Sequence, residues 1–79
     1  MMRAKRATKE ERIAFYVDHD KLLEQCNYLI GGDFGPEGRT VVDDARARFD
    51  YSPKTFSRDI MSSLLRGWRK WRVEGGGER

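Results

Sequence analysis

The chain has 79 residues and a formal net charge of +3, with 37% charged and 38% hydrophobic residues. A core this small leaves room for one domain and little room for a buried catalytic pocket with its own supporting shell, which points away from an enzyme. Cys26 is the sole cysteine, so no internal disulfide can form and a reducing, cytoplasmic setting is expected. No apolar run approaches membrane-spanning length, and no apolar stretch of a signal peptide follows the charged N-terminus.

In chain order, residues 1–8 read as a flexible basic arm carrying Arg3, Lys5 and Arg6 and no acid. Thr8-Lys9-Glu10-Glu11 has the form of a capping box. Helices are predicted over 9–17 and 19–30, with a single bent helix as the alternative. Asp18 would cap the second. Ile13, Tyr16 and Val17, then Leu22, Leu23, Cys26, Leu29 and Ile30, form the apolar stripes. Gly31 or Gly32 suits a left-handed C-cap, and Pro36 falls in a loop over 31–39. Thr40 would cap the next helix, whose inner face is Val42, Ala45 and Phe49. Asp50-Tyr51 is a short break. Ser52 reads as an N-cap with Pro53 at the first helical position. Phe56, Ile60 and Leu64 should face inward, and Gly67 should stop the helix at about residue 66. Residues 68–73 fit either a strand or a helical extension that places Trp68 and Trp71 on the core stripe. The domain then spans 9–74, with 75–79 a loose tail.

Charge is unevenly spread. From Arg46 to Arg72 there are eight basic residues (Arg46, Arg48, Lys54, Arg58, Arg66, Arg69, Lys70, Arg72) against Asp50 and Asp59, whereas Glu10–Asp44 is acidic. A basic arm and a basic C-terminal half offer a polyanion two surfaces. Two short helices joined by a brief turn, the second opening on Ser-Pro, form a candidate helix-turn-helix. Lys54, Thr55, Arg58 and Ser62 fall opposite the inward stripe, and these are phosphate- and base-contacting residue types.

The segment Ser52-Pro53-Lys54-Thr55-Phe56-Ser57-Arg58-Asp59-Ile60 resembles the recognition helix of the N-terminal winged helix-turn-helix of DeoR-type bacterial repressors. Gly67 and Arg72-Val73-Glu74-Gly75-Gly76 are similar to that family's later glycine and its Arg-Val-His-Gly-Gly. The departures are Arg46 at a position that is small in the family, Asp50 for the turn glycine, Ser57 for an arginine, and a longer loop over 31–39. The family's sugar-phosphate-sensing domain has no counterpart here. The resemblance implies a mainly α, small helix-turn-helix domain, winged if 68–73 opens a short C-terminal β-hairpin.

The expected function is that of a small cytoplasmic DNA-binding protein, a transcriptional regulator of repressor type. Helix 52–66 would enter the major groove of double-stranded DNA. Base readout falls to Lys54, Thr55, Ser57 and Arg58, with Ser52 at the helix start. Phosphate contacts fall to Arg48, Arg69, Lys70, Arg72 and the arm. A homodimer would strengthen specific binding by engaging two half-sites. The competing expectation is a phage- or plasmid-type adaptor or inhibitor that binds a host protein, anchored by Tyr16, Phe34, Trp68 and Trp71. RNA binding through the arm and exposed aromatics ranks third, and a membrane-surface role for 56–72 below it. Trp68 and Trp71 are better placed in the core than stacked on bases. His19 and Cys26 read as packing or surface residues. No metal or cofactor is expected. The pairs Asp18/Asp20 and Asp43/Asp44 are read as first-turn acids that favour the helix dipole.

Overall fold

The capping box at Thr8 forms as its sequence predicts. The Glu11 N–H donates to Thr8 Oγ1 at 3.1 Å, and the Thr8 N–H donates to Glu11 Oε1 at 2.8 Å. This starts α1, Lys9–Asn27, in a computed structural model that describes residues 7–28 and 34–76. The bent-helix alternative is the one realised. α1 runs through Asp18 and kinks at His19, whose backbone is non-helical (φ −117°, ψ 17°). There the imidazole Nδ1 lies 2.8 Å from the Phe15 carbonyl, a side-chain intrusion into the i→i−4 ladder of the kind that bends helices. Asp18 therefore caps nothing. Most of the arm, Leu29, Ile30, and the C-cap expected at Gly31 or Gly32 lie outside the described residues.

α2 spans Gly35–Phe49, so it starts well before Thr40. Pro36 occupies its first turn, where a missing N–H is harmless. Thr40 is interior, its hydroxyl donating to the Pro36 carbonyl at 3.0 Å. The helix ends at Asp50 in the left-handed region (φ 53°, ψ 48°), a conformation that Asp tolerates better than most residues.

α3 spans Ser57–Val73, which corrects both ends of the expected helix 52–66. Ser52-Pro53-Lys54-Thr55 instead forms a turn closed by the Thr55 N–H on the Ser52 carbonyl at 3.0 Å, with the Lys54 N–H on Ser52 Oγ at 3.2 Å. Proline's fixed φ suits the second position of a turn as well as the first position of a helix, and here the turn wins. Phe56 is the residue before the helix, in extended conformation, and is 74% exposed rather than inward. Gly67 does not stop the helix. A Cβ there would collide with the Tyr16 hydroxyl, so the glycine permits close approach of α1 and α3. Residues 68–73 take the helical alternative, and no strand forms among the described residues, so the wing is absent from them. The true stop is Gly75 (φ 88°), donating to the Arg72 carbonyl at 2.9 Å while Gly76 donates to the Trp71 carbonyl at 3.0 Å. That pair of bonds is a Schellman motif, so the first two residues of the expected loose tail terminate α3.

Each helix packs on both others. α1 contributes Phe15, Tyr16, Leu23 and Cys26 to the core. α2 contributes Val41, Val42 and Ala45, and α3 Ile60, Met61, Leu64, Leu65 and Trp68. Phe15 is fully buried, stacked on His19 at 4.1 Å and tilted against Phe49 at 5.2 Å. The stripe Ile13-Tyr16-Val17 missed it, and Val17 is exposed. Trp71 packs against Tyr16 at 5.7 Å. No helix of the described residues is long and apolar enough to cross a membrane.

A basic face with partnered and unpartnered cations

The cations of α2 and α3 divide by what faces them. Towards α1 they are taken up by carboxylates. Arg48 Nη2 lies 3.1 Å from Asp18 Oδ2, and its Nε lies 3.1 Å from Asp44 Oδ2. The same Asp44 oxygen is 2.8 Å from His19 Nε2. Arg48 also lies over the Phe15 ring at 5.4 Å. At the other end of the same interface, Arg72 Nη1 is 3.4 Å from Glu24 Oε2 and 3.7 Å from Asp20 Oδ1, and its guanidinium lies 5.1 Å from the Trp68 ring centroid. The Trp68 indole N–H donates to Asp20 Oδ1 at 2.6 Å. Asp18, Asp20 and Asp44 are thus interhelical acceptors in helix interiors, which corrects their reading as first-turn acids.

Arg48 and Arg72, both expected to hold phosphates, are therefore ion-paired to carboxylates of α1 and α2, although each side chain stays exposed. Arg69 is intermediate, its Nε donating to Asn27 Oδ1 at 2.7 Å. Arg46, the residue out of keeping with the family pattern, ties the turn to α2: its Nη2 donates to the Thr55 carbonyl at 3.1 Å and to Ser57 Oγ at 3.3 Å. Thr55 and Ser57 are held by that guanidinium, and Ser52 by its own turn.

Lys54, Arg58, Arg66 and Lys70 are exposed, and none has an ion pair or a side-chain hydrogen bond among the described residues. At 100° per residue, Arg58, Ser62, Arg66, Arg69 and Lys70 span about 120° of α3 and about 18 Å of its length. The sequence reading did not single out Arg66 as a contact residue, because ending the helix at Gly67 truncated the stripe. With the right boundary, the spacing 58, 62, 66 would have shown it.

Two clefts flank this stripe and share Phe34 and Arg58. The smaller, about 260 Å³, runs between α3 and the end of α1 and has Arg58, Arg66 and Arg69 on its walls with no carboxylate. Cys26 lies at its floor, and burial, reinforced by the Glu37 carboxylate, raises the thiol above its ordinary value of 9.0. The larger, about 590 Å³, lies between α2 and the start of α3. The aromatic anchors expected for a host-protein complex are not free: Tyr16 and Trp68 are buried, and Phe34 and Trp71 are packed against the core. The large exposed aromatics are Tyr28 and Phe56 instead. His19 and Cys26 lie in the core, and no group of three or more metal-ligating side chains gathers among the described residues.

No protein-family model matches the chain, and no curated protein or solved structure matches it either.

Proposed function

We propose that this protein binds double-stranded DNA through the unpartnered face of α3 and the turn before it, and that it regulates transcription by occupying its site. The observation that carries this reading is the sorting of cations. Carboxylates of α1 and α2 pair with Arg48 and Arg72 at the α1 interface, while Lys54, Arg58, Arg66 and Lys70 stand exposed with no ion pair among the described residues. An amphipathic helix needs polar residues outside, but a solvated face is equally served by mixed charges. A row of cations that outnumbers the one acid in its sector, Asp59, favours a polyanion. α3 has 17 residues, about 25 Å, and a single helix fits the B-DNA major groove. Arg58 and Lys54, at the turn end, are suited to base edges, and Arg66, Arg69 and Lys70 to phosphates. The resemblance of residues 52–60 to a DeoR-type recognition segment supports the same face, with the contacting helix shifted to 57–73. A homodimer placing two such faces on adjacent half-sites would raise affinity and specificity.

Fluorescence anisotropy with a labelled duplex tests this. Three phosphate contacts imply a log–log salt slope of roughly −2.7, hence roughly a 40-fold loss of affinity between 50 and 200 mM salt. Replacing Arg66 and Lys70 together by Ala should flatten that slope by roughly 1.8, whereas Arg48→Ala should leave it unchanged. Equal effects of the two variants, or salt-independent binding, would overturn the proposal.

A further inference from the structure

We infer that the larger cleft receives one unpaired nucleobase of the nucleic acid held by the basic face, stacked against Phe56 and Phe34. This rests on the nucleic-acid reading above and adds to it a site for a base outside the duplex stack. Phe56 projects from the residue just before α3 and is 74% exposed, yet its backbone is fixed. The turn ahead of it is closed by the Thr55 N–H on Ser52, and its own carbonyl accepts the Ile60 N–H at 3.0 Å. The same cleft is lined by Phe34, half-buried against the core, and by the buried Val42. The volume of about 590 Å³ is within the range of small-molecule sites.

The rim carries Arg39 and Asp43 from α2 and Arg58 and Asp59 from α3. None of these four has an ion pair among the described residues. A base edge presents both amino donors and ring acceptors, and a phosphate lies next to it. Carboxylates accept from exocyclic amines, and guanidinium groups serve ring acceptors or phosphate. An aromatic face held between cations is the arrangement used to stack bases of single strands. A purely apolar peptide would leave all four charges unserved. An intact duplex offers Phe56 no exposed base face.

The test uses a labelled single-stranded 12-mer, the same 12-mer as a blunt duplex, and an abasic 12-mer of equal charge. Phe56→Ala removes an exposed side chain, and its unchanged circular dichroism would show the fold intact. The expected result is a loss of about tenfold or more for the single strand, with less than twofold change for the duplex and the abasic strand, and recovery with Phe56→Trp. Arg66→Ala with Lys70→Ala, outside the cleft, should weaken all three. If Phe56→Ala leaves single-strand binding unchanged, or weakens the abasic strand equally, the inference falls while duplex binding by the basic face stands. If none of the three binds, both readings fall. A concentration-dependent dimer that Phe56→Ala abolishes, without change in strand binding, would assign the cleft to a second copy and overturn the inference.

Discussion

Two sides of α3 use the same chemistry to opposite ends. On the α1 side, Arg72 lies between Asp20, Glu24 and the Trp68 ring, and its neighbour in function, Arg48 of α2, bridges Asp18 and Asp44. On the outer side, Arg58, Arg66 and Lys70 face water without an ion pair among the described residues. A guanidinium at an interface helps fix which helix packs where, while one on an open face leaves its field for a partner. The comparison teaches that a count of basic residues overstates a nucleic-acid face.

The contrast is sharpest between two phenylalanines. Phe15→Ala should lower stability by about 3–5 kcal/mol, each kcal/mol appearing as a drop of roughly 4–8 °C in Tm. Phe56→Ala should stay within about 0.5 kcal/mol. Thermal denaturation of the pair checks this, and comparable losses would break the division between the packed and the open side. Gly67→Ala should be destabilising by about 1–3 kcal/mol, although alanine is favoured over glycine in a helix by about 1 kcal/mol, because the new methyl meets the Tyr16 hydroxyl. Adding Tyr16→Phe should restore much of the loss, measured by urea titration. A stabilised single variant would show that the α1–α3 contact is looser than described.

Asp20→Ala should cost about 1–3 kcal/mol, since it strands the buried Trp68 N–H and frees Arg72. Asp20→Asn, which retains an acceptor, should cost less, and a shift in tryptophan emission would follow the loss of the bond. The smallest expected effect concerns pH. Desolvation by burial raises the Tyr16 phenol above 10.0, with Arg12 opposing and Tyr51 adding to the rise. The folded state then holds that proton more tightly than the unfolded chain. The resulting stability is present in full below pH 10.0 and is lost as pH rises through the raised folded value. Urea midpoints measured from pH 9 upwards should fall, and Tyr16→Phe should flatten the fall.

Local signals with a single reading were legible in the sequence. The Thr8 capping box, the break at Asp50, and the inward placement of Leu23, Ala45, Ile60 and Leu64 follow from short-range hydrogen bonding and the 3.6-residue period. Signals with two local solutions went the other way. Ser52-Pro53 serves a turn as readily as a helix start, Pro36 a first turn as readily as a loop, and Gly67 a close contact as readily as a stop. Extending the four-residue period back past the true helix start placed Phe56 in the core, when it stands at the mouth of a cleft.

By itself, then, the sequence determined a mainly helical chain with a basic C-terminal half and an apolar stripe on each helix, because periodicity and charge are properties of neighbouring residues. Only the tertiary structure decided which arginines are ion-paired within the fold and which are not. The acids that take up Arg48 and Arg72 come partly from positions 30 to 52 residues away in α1, and a carboxylate neutralises a guanidinium only where packing brings them within a few ångströms.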